Sequence, residues 1–306
     1  MKIGVYKDTF ANGRGADIAV RQLVEGLVER GHAAVAFERA AFAERLREPW
    51  DVVISTGTNE LLDLAGFSGA PIVQQFHTNP QSQFKWKRFV RNWKIRRALK
   101  RVAAIQVLQK AFVPQVAKYG SPVTVIGNSV EMPATDSPSP PPENVIIYPA
   151  ARSKTKNHAL LLKAFSSLRG SFPDWRLELY GDGLERLELP PGARAFARCD
   201  LRPAYRRCAF LAFPSTDEGF GLVIAEAASY GKPAVMVRDW IGTAGADGGI
   251  VTAPTVSAYA EGLRRLMSDP DLRRQLGENA QRFCAEHYSR AKILDKWEAL
   301  LESVVK

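Results

Sequence analysis

The sequence predicts an α/β protein made of two Rossmann-like, doubly wound domains that face a cleft. Two observations predict it. Short apolar, β-branched runs alternate with helical patterns along the 306-residue chain. A segment rich in Pro and Ser breaks the alternation near the middle, and the alternation then restarts. Ligands of such sheets bind at the carboxyl ends of the strands, and a cleft between two halves brings both sets of ends together.

The elements follow in order. "KIGVY" reads as a strand, and "GADIAVRQLVEGLVERGH" as a helix. Ile18, Leu23, Leu27 and Val28 are expected on one face of that helix, and Gly31 closes it. "AAVAF", "DVVIS", "PIVQQF", "AAIQVL" and "VTVIG" complete the strands of the first domain, 1–130. "EMPATDSPSPPPEN", 131–144, reads as a linker. The second domain, 145–285, holds the strands "VIIYPA", "RLELYG", "ARAF", "CAFLAF", "AVMV" and "GIV". Its helices include "NHALLLKAFSSLRGSF" and a segment from about Leu222 to Tyr230. Helices run on from Val256 to Lys306, and the last, 286–306, is expected to pack back toward the first domain.

Composition narrows the class. Apolar residues make up 46% and charged residues 24%, the profile of a globular chain with a core. Lys7 and Asp8 interrupt the N-terminal apolar run, so it reads as a strand and not a signal peptide. No window of about 20 residues is continuously apolar, so no spanning helix is expected. Cys199, Cys208 and Cys284 fit neither a disulfide framework nor a zinc site, which suits a reducing compartment.

The net charge of +10 is concentrated in one region. From Leu64 through Val130 there is no Asp or Glu. The same stretch carries Lys85, Lys87, Arg88, Arg91, Lys94, Arg96, Arg97, Lys100, Arg101, Lys110 and Lys118. Within it, Trp86, Phe89, Val90 and Trp93 fall on one helical face and Ile95, Leu99 and Val102 on the opposite one. One face should pack on the domain. The aromatic one suits a bilayer interface, with Lys and Arg at anionic headgroups. The bland alternative puts the aromatics in the core and the charges in water. Single-stranded nucleic acid also tolerates interleaved aromatics and cations, but no RNA-binding motif accompanies them, and nucleic acid is not expected as a partner.

The most informative stretch is "STDEGFGLVIAEAASYGKP". It follows the strand "CAFLAF", so Glu218 sits in a strand-end loop and Glu226 about a turn into the next helix. Backbone N–H groups around Gly219, Phe220, Gly221 and Leu222 suit a diphosphate. A carboxylate at Glu226 could accept two hydroxyl donors, as from a ribose. "EGFGLVIAEA" resembles the E-x7-E motif of the retaining GT-B glycosyltransferases, in particular glycosyltransferase family 4. "GRGADIAVRQLVEGLVERGH", "IGNSVE", "AARSKTKNHALLLKAF" and "LYGDG" are similar to further segments of that family, in the same order. Ala151 and Ser129 stand where the family often has Gly.

The resemblance implies roles for individual residues. Arg152 and Lys156 would meet the donor diphosphate and stabilise its departing charge. Glu226 would bind the ribose and Glu218 the donor hexose. His77 would lie near the transferred sugar or the acceptor. Gly13 and Gly15, with Asp17 beyond them, would approach the donor phosphate and the acceptor. Lys85, Trp86, Lys87, Arg88, Phe89, Trp93, Arg96 and Arg97 form the expected membrane or acceptor surface. Same-face attack, with the leaving phosphate helping to take the acceptor proton, needs no carboxylate nucleophile. No metal and no cofactor are expected. The expected partners are a nucleotide diphosphate sugar, a glycan or glycolipid acceptor and an anionic membrane. The expected location is the cytoplasmic face of that membrane. Two other readings are a sugar-nucleotide epimerase and a non-catalytic module that binds nucleotide sugar or anchors a partner.

Overall fold

Central strand runs such as "VIIYP" and "FLAF" are apolar on both sides, as strands covered by helices on each face must be. The structure is a computed structural model and describes residues 1–10, 15–84, 88–133 and 141–305. It divides into two units, Met1–Ser129 with Arg290–Lys306, and Val130–Ser289. Gly13, Lys85, Trp86, Lys87 and the centre of the expected linker lie outside the described residues.

The first unit has strands β1 (Lys2–Tyr6), β2 (Ala33–Phe37), β3 (Val52–Ser55), β4 (Ile72–Gln75), β5 (Ala104–Val107) and β6 (Val123–Val125). They form one parallel sheet in the order β2-β1-β3-β4-β5-β6. Its helices are α1 (Gly15–Glu29), α2 (Phe42–Arg45), α3 (Thr58–Asp63), α4 (Phe89–Leu99) and α5 (Val113–Val116). Helix α1 ends as expected at Gly31, whose φ of +85° suits a residue without a Cβ. Its buried face differs in part from the expected one. Ala19, Val20, Leu23 and Leu27 are buried, whereas Ile18 and Val28 are exposed. Both lie about 100° or more from the centre of the buried stripe, too far round to reach the sheet.

The second unit has strands β7 (Val145–Pro149), β8 (Arg176–Tyr180), β9 (Ala193–Phe196), β10 (Phe210–Phe213), β11 (Ala234–Met236) and β12 (Gly249–Val251). The sheet is parallel, in the order β12-β11-β10-β7-β8-β9. Counted from the first strand of the unit, this is the Rossmann order, and it reverses between β7 and β10. Helices α6 (His158–Leu168), α7 (Arg202–Arg207), α8 (Leu222–Ser229), α9 (Val256–Ser268) and α10 (Pro270–Tyr288) accompany it.

A last helix, α11 (Arg290–Val305), belongs to the first unit. Ile293, Leu294, Trp297, Leu300 and Leu301 form its buried stripe. Leu294 packs directly over Gly26 of α1, where any Cβ would stand 2.7 Å from Leu294 Cδ2. Arg30 adds ion pairs of 2.9 Å to Asp295 and Glu298.

Helix α4 shows which of its two apolar faces is core. Ile95 and Leu99 are buried beside Val102, Ile105 and Phe112. Phe89, Val90 and Trp93 are 72%, 70% and 58% exposed. The aromatic face is therefore solvent-facing in this unit.

Candidate active site

Ligand sites in open α/β sheets lie where the strand order reverses, beyond the carboxyl ends. In the second unit that point lies between β7 and β10. The loop after β7 carries Arg152 and Lys156, and the loop after β10 carries Glu218 through Gly221. Hydrogen bonds join the two loops. The Thr216 N–H donates to the Thr155 carbonyl oxygen at 2.8 Å, and the Ser215 and Thr216 hydroxyls donate to the same oxygen at 3.2 Å. The Tyr148 hydroxyl donates to the Lys156 carbonyl oxygen at 2.6 Å.

On this frame Lys156 Nζ donates to Glu218 Oε1 at 2.5 Å. The ammonium carries three donors, so this bond leaves it capacity for phosphate oxygens. Arg152 is exposed, and its guanidinium makes no ion pair among the described residues. Its backbone N–H donates to the Asp182 carbonyl oxygen at 2.8 Å.

Gly221 precedes α8 with φ +87°. A Cβ there would come within 3.0 Å of Ile224 Cδ1 and 3.3 Å of Trp240 Cβ, so glycine meets both a backbone and a packing demand. No side chain caps α8 and no acid occupies its first turn, which keeps that helix start suited to an anion. The Phe220 side chain is buried, edge-on to Tyr288 at 5.0 Å between ring centroids. It anchors the loop to the core and leaves only its backbone for a ligand. Gly219, just before it, and Leu222, the first residue of α8, are both half-buried.

Glu226 is the fifth residue of α8, and its Oε2 accepts the Tyr205 hydroxyl at 2.7 Å. Tyr205 is buried and stacks on Tyr230. Burial pushes the Glu226 carboxyl above its ordinary pKa, and the Tyr205 bond works the other way. Burial and the neighbouring Glu226 hold the Tyr205 phenol well above its ordinary pKa, so it stays a donor. His158 opens α6 with Nε2 3.2 Å from the Ala150 carbonyl oxygen, so that nitrogen carries the proton. Tyr205 and His158 were not singled out in the sequence. Tyr205 pairs with a residue 21 positions away, and no spacing rule signals such a contact.

In the first unit His77 follows β4, with both ring nitrogens buried and without a hydrogen-bond partner among the described residues. Burial, with the Lys7 charge assisting, lowers its pKa to about 3. Asp17, in the first turn of α1, pairs with Lys7 at 3.2 Å. Gly15 opens α1 with open space around its Cβ position. The unfolded chain therefore binds a proton at His77 near pH 6.5 that the folded chain refuses until about pH 3. Stability present above pH 6.5 should fall as pH drops through this window, by at most about 1.4 kcal/mol per pH unit from this group. Thermal unfolding between pH 7 and pH 4 should show a flatter acid limb in His77→Leu than in wild type. Equal limbs would remove His77 from the acid response.

Of the expected surface residues, Arg88, Phe89, Trp93, Arg96 and Arg97 are all exposed on or just before α4. The Arg97 guanidinium lies 5.6 Å from the Trp93 ring centroid, and that of Arg96 5.8 Å from Phe84.

Residues 134–283 match the family model described as glycosyl transferases group 1. That match falls within the second unit, Val130–Ser289. Over 172 residues the chain is 33% identical to the exopolysaccharide phosphotransferase SCO2592 of Streptomyces coelicolor, covering 50% of this chain and 18% of that protein. It is 29% identical over 185 residues to the D-inositol 3-phosphate glycosyltransferase of Corynebacterium jeikeium, covering 53% and 42%. It is 27% identical over 189 residues to the lipopolysaccharide core biosynthesis glycosyltransferase LpsE of Rhizobium meliloti, covering 57% and 54%. The matches thus span 18% to 54% of these relatives' own lengths. Among solved structures, Anabaena Alr3699/HepE in complex with UDP and glucose aligns with a TM-score of 0.78 at 16% identity, over 99% of this chain and 100% of that one. The sucrose-phosphate synthase of Thermosynechococcus elongatus aligns at 0.80 and 17% identity, over 98% of each chain. At such identities the likeness is one of fold. The two six-stranded parallel sheets are the two Rossmann-like domains of the GT-B glycosyltransferase fold.

Proposed function

We propose that this chain is a retaining, metal-independent glycosyltransferase of family 4. It moves a hexose from a nucleotide diphosphate sugar to a lipid-linked glycan, or to a lipopolysaccharide or capsule acceptor, at a membrane surface. UDP-sugar is the preferred donor and GDP-mannose the second. The observation that carries the reading is the Lys156–Glu218 pair at 2.5 Å, placed at the strand-order reversal of a group 1 domain and beside an uncapped helix start. Lys156 and Arg152 offset the charge that builds on the departing diphosphate. Glu218 orients the hexose and Glu226 the ribose. The acceptor oxygen bonds to the anomeric carbon on the face from which the phosphate oxygen leaves, and that oxygen takes the acceptor proton. His77, neutral by burial, serves the sugar or acceptor as a hydrogen-bonding group and not as a cation.

The choice of UDP draws on the UDP bound in Anabaena Alr3699/HepE, and the choice of acceptor on the part of LpsE in lipopolysaccharide core biosynthesis. The membrane reading draws on the exposed aromatic face of α4 among cations. No helix among the described residues is long and apolar enough to cross a membrane. The attachment in this reading is peripheral, on the cytoplasmic face. The test supplies UDP- and GDP-sugars with a bacterial glycolipid extract and reads nucleotide release and the anomeric configuration of the product by NMR. Release with retained configuration is expected. An inverted product would overturn the mechanism. Donor binding without turnover would favour a non-catalytic binding module.

A further inference from the structure

A groove on the first unit runs between α4 and the segment from Leu62 to Ala65, with a volume of about 390 Å³. Leu62, Ala65, Trp93 and Ala98 supply its apolar lining. Lys94, Arg97 and Arg101 also line it, spaced three and four residues apart, so they form one row along the helix and the turn that follows. None of the three makes an ion pair among the described residues, and no acid exists between Leu64 and Val130 to supply one. The acid next to Leu62, Asp63, is engaged elsewhere by the Tyr6 hydroxyl and Arg39, both at 2.7 Å. An apolar lining beside a row of unpaired cations is complementary to an amphiphile with an anionic head.

We propose that this groove seats the phosphate headgroup and first chain carbons of a single anionic membrane lipid. The phosphate lies along Lys94, Arg97 and Arg101, and the chain lies over Trp93, Ala65 and Leu62. The proposal deepens the membrane reading and rests on it for its setting, but it requires a pocket for one molecule and not a charged face alone. The exposed Phe89 and Val90 lie outside the groove and are left to meet the bilayer.

The probe is dodecyl phosphate below its micelle concentration, titrated calorimetrically into the full chain, with inorganic phosphate and a neutral dodecyl glycoside as comparators. Burying two chain carbons already gives about tenfold in affinity, so dodecyl phosphate should bind at least that much tighter than inorganic phosphate. It should also outbind the neutral glycoside. Ala65→Trp fills the groove and keeps every cation, so it should lose dodecyl phosphate while still binding phosphatidylglycerol vesicles. The double variant Phe89→Ser, Val90→Ser should do the reverse. Equal binding of inorganic and dodecyl phosphate, or dodecyl phosphate binding that Ala65→Trp leaves intact, overturns the groove. Wild-type protein that ignores anionic vesicles overturns the membrane reading instead, whatever the soluble probe does.

Discussion

Replacing Lys156 with methionine should lower the turnover of sugar transfer by about a hundred- to a thousandfold, the usual cost of removing one preorganised donor from a developing anion. Methionine keeps the length and apolar stem of lysine and removes only the charge and its donors. The charge on the diphosphate grows as the glycosidic bond breaks, so the loss should fall on kcat more than on KM. The change also takes from Glu218, whose side chain is 13% exposed, its ammonium partner. A lower thermal midpoint is expected alongside the kinetic loss, because a largely buried carboxylate is costly without its counter-charge. Steady-state kinetics on protein verified as folded by circular dichroism separates the two effects. A kcat within threefold of wild type would leave Lys156 as a structural partner of Glu218 and no more.

Glu226→Gln should act in opposite directions on stability and on nucleotide binding. In wild type, burial raises the folded carboxyl pKa above the ordinary 4.5. Between those two values the folded state binds more protons than the unfolded one, so stability declines as pH rises through the window and stays lower above it. Glutamine cannot ionise and can still accept the Tyr205 hydroxyl. The variant should therefore melt above wild type at pH 7 to 8 and draw level with it near pH 4. A ribose that has lost a charged acceptor should bind about ten- to a hundredfold more weakly, from a charged hydrogen bond worth about 1.5–3 kcal/mol. Melting curves across that pH range check the first half of the prediction. A variant no more stable at neutral pH would mean that the Glu226 carboxylate is better solvated than its place in α8 implies.

Much of the fold was legible in the sequence because parallel strands covered on both faces must be nearly all apolar. "VIIYP" and "FLAF" leave no solvent face, and every residue of both strands is buried. The short helix Thr58–Asp63 escaped, since six residues are too few to show a helical period. Helix α4 carried two apolar faces in its pattern, and only packing on the strands β4 to β6 could decide that Ile95 and Leu99 go in while Phe89 and Trp93 stay out. The same limit explains Ile18 and Val28, apolar residues left exposed among the described residues.

The candidate site was legible through the resemblance carried by Arg152, Lys156, Glu218 and Glu226, and its internal contacts were not. Lys156 and Glu218 are 62 residues apart and meet because β7 and β10 are neighbours, which is a property of strand order. Tyr205 meets Glu226 from the helix on the other side of β10, and Lys7 meets Asp17 from the end of β1 to the first turn of α1, contacts that residue spacing does not announce. The groove beside α4 joins residues from two helices and the turns that follow them, so no linear reading of the basic segment reveals it.

The most direct test of donor binding at this site is a thermal-shift series with UDP, GDP, ADP and CMP on wild type and Glu226→Ala. A nucleotide at about 100 times its dissociation constant stabilises a fold by roughly 2.7 kcal/mol, a readily measured shift. The expected result is a shift with UDP, a smaller one or none with the other nucleotides, and its loss in Glu226→Ala. No shift with any nucleotide, or a UDP shift that survives Glu226→Ala, would contradict the donor site built around α8.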